Sequence, residues 1–288
     1  MKLVLKYLCL CIMLVTLPGC FLKKDDFDNI EIYTTIYTIE YISKTLYGNH
    51  AKISSIYPDG IDIPSYTITN KKINDYSNGD LFIYNGLSNE KQIAAALINK
   101  NKKMYIIDVS QGLEIKHEES ELWISPTNCL MIAQNIKNGL KEHITNKSIL
   151  DEIDGNYDNL KLIISSYDAE FKYVAENAVN KTLIVANKAF SFLNKYGFEV
   201  INISDNDEET STTVLAKARK AFTNKDNHYI FMLNGTEETD TIKALMQHGA
   251  KISYINPMIN LTDHERSNND NYKTFMNAFI EAIKAEVY

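Results

Sequence analysis

Arginine is nearly missing from this chain: Arg219 and Arg266 are the only two among 30 basic residues, and no run of lysines is dense enough to form a patch. With 37 acids and a formal charge of −7, such a chain is repelled by a phosphate backbone, which excludes DNA and RNA as partners. Cysteine is scarce, at four in 288 residues, so a disulfide-stapled scaffold is excluded. Also absent are a glycine-rich phosphate loop, a Gly-x-Ser-x-Gly elbow and a His-Glu-x-x-His pair. Asp/Glu pairs are plentiful, but among 37 acids a chance pair carries no weight. No enzyme is expected. The apolar run Leu8–Leu17 has only about ten residues, too few to cross a bilayer as a helix.

What is present is ordinary globular material, 45% hydrophobic, with enough chain for one large domain or two lobes. Lys2 and Lys6 precede the Leu8–Leu17 run, which ends in Leu17-Pro18-Gly19-Cys20. This reads as a secretory signal peptide over residues 1–19, and its end resembles the lipobox of bacterial lipoproteins, in which Cys20 becomes the lipidated first residue. The alternative is an uncleaved membrane anchor. The expected mature protein carries diacylglycerol, and usually a further palmitate-like chain, on Cys20 and sits on the extracytoplasmic face of the cell membrane. Loss of residues 1–19 removes two lysines and no acids, taking the balance to −9, and leaves Cys129 alone beside the lipidated Cys20. No intramolecular disulfide is then possible. Residues 20–28 read as a short charged tether.

From Ile30 onward β-branched runs alternate with amphipathic stretches. Strands are predicted at Ile30–Tyr37, Lys52–Tyr57, Asp80–Tyr84 and Met104–Asp108, with helices at Ile39–Leu46, Asn70–Tyr76 and Asn89–Asn99 between them. A second set has strands at Thr182–Val185, Glu199–Ile203, Tyr229–Leu233 and Lys251–Ile255. Its helices are Ala189–Lys195, Thr212–Phe222, Glu237–His248 and Asn271–Glu286. The rhythm predicts two α/β lobes, residues 29–146 and 180–288, each a mainly parallel sheet wrapped by helices. Between them, Ile149, Ile153, Tyr157, Leu160, Ile164, Tyr167, Phe171 and Val174 recur at steps of four and three, which predicts one connecting helix over residues 147–179.

Several segments carry a family likeness. Thr34-Thr35-Ile36-Tyr37, then Pro58-Asp59-Gly60 with Tyr66, then Asp80-Leu-Phe-Ile-Tyr-Asn-Gly86, Leu122-Trp123-Ile124-Ser125-Pro126, Ala189-Phe190 and Tyr196-Gly197 follow in order. In order and spacing they resemble the substrate-binding lipoproteins of metal-importing ABC transporters, the TroA-like zinc/manganese receptor family. The resemblance implies a TroA-like fold, an ABC permease as partner, a divalent metal ion, Zn²⁺ or Mn²⁺, as the ligand class, and a monomer.

Carried over one position at a time, the family's metal ligands are largely replaced. Its first histidine falls on Pro64, its second on Glu121, its third on Asn187 and its last acid on Asn256. Only Glu121 could serve as an ionised metal ligand, since Pro64 has no donor atom and the two amides are neutral. The cleft by resemblance is lined near Pro64, Ser65, Glu121, Trp123, Asn187 and Asn256. The high-affinity Zn²⁺ or Mn²⁺ site is therefore expected to be degenerate, no particular cofactor is assigned, and a divalent cation held weakly is the most these residues offer. None of the six histidines falls on a carried-over position, and the family's His-rich loop is missing. Asp263-His264-Glu265 could lend a ligand but reads first as a polar helix start, and Asp205–Glu209 as a solvated loop. The second functional class compatible with this reading is a surface adhesin on the same fold.

Overall fold

The computed structural model describes residues 29–113, 122–204 and 212–288. The lipidation candidate Cys20, the candidate ligand Glu121 and the acidic run Asp205–Glu209 lie outside the described residues. The first lobe comprises β1 (Ile30–Thr34), α1 (Tyr37–Tyr47), β2 (Ala51–Ser55), α2 (Asn70–Tyr76), β3 (Leu81–Tyr84), α3 (Glu90–Lys100), β4 (Tyr105–Asp108) and α4 (Pro126–Lys141). After α5 (Lys147–Asn177) come β5 (Thr182–Val185), a 3-10 helix (Lys188–Tyr196), β6 (Glu199–Asn202), α6 (Thr212–Asn224), β7 (Tyr229–Leu233) and α7 (Asp240–Met246). The second lobe closes with β8 (Lys251–Ile255), α8 (Asp263–Ser267) and α9 (Tyr272–Val287).

Parallel neighbours need a crossover to return the chain, and the helices between strands supply it. Among the described residues each lobe holds a four-stranded sheet, in the orders β2-β1-β3-β4 and β6-β5-β7-β8, and every pairing is parallel. Burial follows from this. All of Leu81-Phe82-Ile83-Tyr84 in the interior strand β3 is buried, whereas the edge strand β2 buries only Ile53.

The structure trims several predicted bounds. Strand β1 stops at Thr34 because α1 begins at Tyr37, and the helix expected over Glu237–His248 starts only at Asp240, where the Thr239 hydroxyl accepts from Ile242 N. Residues 188–196 form a 3-10 helix where an α-helix was expected. The connecting helix ends at Asn177 rather than Val179, since Ala178 turns extended and Val179 N donates to Val287 O at 2.9 Å.

Helix α5 is 31 residues long, about 46 Å at 1.5 Å per residue. All eight residues of its predicted stripe are buried. They belong to one apolar cluster that runs from Ile32 and Phe82 in the first lobe to Phe190 and Phe279 in the second. Phe171 sits at its centre, with ring centroids 5.4 Å from both Tyr196 and Phe279. A smaller second cluster, including Ile230, Met232 and Phe222, fills the far side of the second sheet.

The lobes are also joined by polar contacts. Helix α1 has no side-chain cap at Ile36; instead Tyr37 N donates to Ile259 O and Thr38 Oγ1 to Met258 O, each at 2.8 Å. Gly60, at φ +75°, donates its N–H to Leu261 O at 2.7 Å. Arg266 reaches across with a fork on Asp59, Nε to Oδ2 at 2.9 Å and Nη2 to Oδ1 at 2.7 Å, and a further bond from Nη2 to buried Glu40 at 3.2 Å.

Candidate functional site

In an open parallel sheet the strand order reverses direction at one point, and the crevice beyond the strand C-termini there is the natural place for a ligand. Both sheets reverse between their two interior strands, β1/β3 and β5/β7. In the second lobe the residues just past β5, β7 and β8 include Asn187, Asn234 and Asn256. These three line one cavity of about 420 Å³. The first lobe contributes the loop after β2, with Gly60, Asp62 and Pro64 on the wall. Ile259, Asn260, Leu261 and Glu265 complete it.

Of the positions expected in the cleft, Pro64, Asn187 and Asn256 thus share one cavity. Ser65 is exposed beside Pro64 but off the cavity wall, and its hydroxyl donates to Asp62 O at 3.1 Å. Trp123 is buried behind the wall: its indole N–H donates to Pro257 O at 2.7 Å, and Pro257 itself lines the cavity.

The amides have their orientation fixed by backbone partners. Asn187 caps the 3-10 helix, its Oδ1 accepting from Ala189 N at 2.7 Å. Asn256 Oδ1 accepts from Met258 N at 2.8 Å, while its Nδ2 donates to Glu265 Oε1 at 2.7 Å. That Asx turn supports Met258 at φ +54°, a left-handed conformation. Asn260 accepts from Leu261 N at 2.9 Å and donates to Pro58 O at 2.9 Å and Ile61 O at 3.1 Å.

Glu265 is the main residue that sequence reasoning undervalued. Thr262 and Glu265 form the capping box of α8, so the polar helix start is as expected. The same carboxylate lies on the cavity wall, accepting from Thr262 N, Thr262 Oγ1 and Asn256 Nδ2. A Thr-x-x-Glu box was readable in the sequence; the tie to Asn256 was not. His264 instead meets Asn268, and none of the described histidines lines the cavity. Among the described residues no three His, Cys, Asp or Glu side chains are grouped so as to hold a metal ion. No described helix is long and apolar enough to cross a membrane.

Residues 32–286 match the family described as zinc-uptake complex component A, periplasmic. The chain belongs to this family. Zinc-binding lipoprotein AdcA of Streptococcus pneumoniae (strain ATCC BAA-255 / R6) is 22% identical over 291 residues, covering 93% of this chain and 58% of AdcA. The chain therefore spans little more than half of that relative. High-affinity zinc uptake system protein ZnuA of Bacillus subtilis (strain 168) is 24% identical over 287 residues, covering 89% of this chain and 87% of that protein. The crystal structure of the metal-dependent lipoprotein YcdH from Bacillus subtilis superposes with a TM-score of 0.74 at 19% identity, covering 90% of this chain and 99% of that one. The two-lobed TroA-like architecture is shared. The zinc-uptake component family is one of transport receptors, not of enzymes.

Proposed function

We propose that this protein is a lipid-anchored solute-binding receptor on the extracytoplasmic face of the cell membrane, delivering its ligand to an ABC permease, and that the Zn²⁺/Mn²⁺ site of its relatives is degenerate here. In this reading residues 1–19 are the signal, 20–28 the tether, 29–146 and 180–288 the lobes, and 147–179 the connecting segment. The observation that carries it is the convergence of Pro64, Asn187 and Asn256 on one interlobe cavity, within a chain of the zinc-uptake component family. The receptor geometry is kept while three of the four carried-over positions offer no ionised ligand. Besides Glu121, the cavity wall offers exposed Asp62 and a Glu265 already committed to Thr262 and Asn256, with no three such groups placed together among the described residues, so affinity for a dication falls by many orders of magnitude.

Trp123 is the only tryptophan, two residues from Glu121 and hydrogen-bonded to the cavity wall, so its emission reports on the site. Micromolar Zn²⁺ or Mn²⁺ should give no saturable change and no marked rise in melting temperature. A tight one-to-one response abolished by Glu121→Ala would restore an ordinary metal receptor. The anchor is tested separately, since Cys20→Ala should abolish incorporation of labelled palmitate. Crosslinking in membranes should recover the permease. An isolated gene without permease or ATPase neighbours, and no crosslink, would favour the adhesin reading.

A further inference from the structure

The boundary between the lobes along the chain is not the boundary in the hydrogen bonding. Residues 257–266 follow β8 in the second lobe, yet they are tied to the first. The carbonyls of Pro257, Met258, Ile259 and Leu261 accept in turn from Trp123 Nε1, Thr38 Oγ1, Tyr37 N and Gly60 N, at 2.7–2.8 Å. Asn260 Nδ2 donates to Pro58 O and Ile61 O, and Arg266 is forked on Asp59 and bonded to Glu40. Toward the rest of the second lobe, among the described residues, their hydrogen bonds reach only Asn256 and the adjoining residues 267–270. The cavity divides along the same line. The loop after β2 and residues 257–265 form one wall; Asn187 and the exposed loop after β7 form the other, and Asn256 stands between them.

We propose that residues 257–266 are a strap that moves with the first lobe, so that the cavity opens between this strap and the β5 and β7 ends of the strap's own lobe, turning at Asn256. The inference goes beyond the receptor reading and does not depend on what the cavity holds. Parting the strap from the first lobe instead would strip Tyr37 N and Gly60 N of their acceptors and leave Glu40, 4% exposed, with Lys44 as its remaining partner among the described residues. Parting at the other seam separates surfaces that already face the cavity and stretches only the Asn256 side-chain bonds. Helix α9 starts against the first lobe, with Tyr272 stacked on Tyr41 at 5.9 Å, and ends in the second, where Glu286 accepts from Asn227 Nδ2 at 2.7 Å. Together with α5 it limits the movement to a small pivot.

Pulsed electron-spin-resonance distances on the full-length protein test this. Nitroxides are carried on ketone-bearing residues, which leaves the native cysteines alone, and are placed in pairs at exposed Lys71 in the first lobe, Asp263 in the strap and Lys243 on α7. The 71/263 distribution should be narrow, and 263/243 and 71/243 should both be at least about twice as wide. A narrow 263/243 with a broad 71/263 would overturn the inference, and so would three equal widths. In a second measurement, Arg266→Gln should speed hydrogen exchange at the Tyr37 and Gly60 amides about tenfold or more and broaden 71/263, while the sheet amides of Ile184 and Ile230 keep their rates; Arg266→Lys should fall between. Unchanged exchange at Tyr37 and Gly60 would refute the hold of the strap on the first lobe. The distances in the parent require no destabilising change, so they decide even if Arg266→Gln fails to fold.

Discussion

The two lobes repeat one strand order but finish their strands differently. Asn85 just past β3 and Asn234 just past β7 hold equivalent places in the two sheets. Asn85 is buried, its Oδ1 accepts from Leu87 N at 3.1 Å, and its own N–H donates to Glu90 at 2.8 Å. Asn234 is exposed on the cavity wall. At the end of β4, Asp108 Oδ1 accepts from Gly86 N at 2.9 Å, Ser110 N at 2.9 Å and Ser110 Oγ at 2.6 Å. In the first lobe carboxylates seal the crevice that the second lobe leaves open. The topology sets where a crevice can form, and the side chains at the strand ends decide whether it receives a ligand or is closed by the chain itself.

The widest disruption should come from what the lobes share. Ile164→Pro removes a backbone donor and clashes with the preceding turn in mid-α5, at a residue only 1% exposed, and should cost about 3 kcal/mol or more. One cooperative thermal transition should fall for both lobes together. A melt equal to the parent, or loss of one lobe alone, would break the picture of a shared core.

Glu90 makes the closed crevice pH-sensitive. Burial, opposed by the hydrogen bond from Asn85 N, pushes its carboxyl up to about 7 from an ordinary 4.5. Because the folded value is the higher, the stability linked to the protonated group is complete below about 4.5 and is lost as pH rises through about 7, a change of roughly 3 kcal/mol at most. Glu90→Gln should flatten that part of the stability–pH curve between pH 5 and 8, read by urea titration. A parallel curve for parent and variant would count against it.

The smallest effect is the sharpest comparison. Asn85→Ala should cost about 1 kcal/mol by orphaning Leu87 N, whereas Asn234→Ala should stay within about 0.5 kcal/mol. Equal costs would mean the two crevices are not treated differently.

Much of the fold was legible because apolar periodicity is a local property. The strands Thr182–Val185, Tyr229–Leu233 and Lys251–Ile255 and the stripe of α5 fall where the pattern put them. The 3-10 geometry of residues 188–196 did not, since it depends on tertiary ties: Tyr196 OH and Lys195 Nζ both donate to Asp168 on α5, at 2.8 and 2.7 Å. In the cavity, Pro64, Asn187 and Asn256 were reached through family resemblance rather than through any local pattern. Asn260 pairs with Ile61 across 199 residues and Arg266 with Asp59 across 207, separations at which one sequence carries no signal.

The borrowed cap of α1 bears on the order in which the molecule can be completed. Helix α1 lies near the start of the described chain, yet its first amide, its Thr38 hydroxyl and its buried Glu40 find their interlobe partners in Ile259, Met258 and Arg266. Synthesis runs from the N-terminus, so those partners emerge only after about nine-tenths of the 288 residues have been made. Until then the first lobe holds a frayed helix end and a carboxylate whose neighbour on the chain, Lys44, is its sole counterion among the described residues. A nascent chain stalled before residue 258 should accordingly be more open to proteases at α1 than the finished protein.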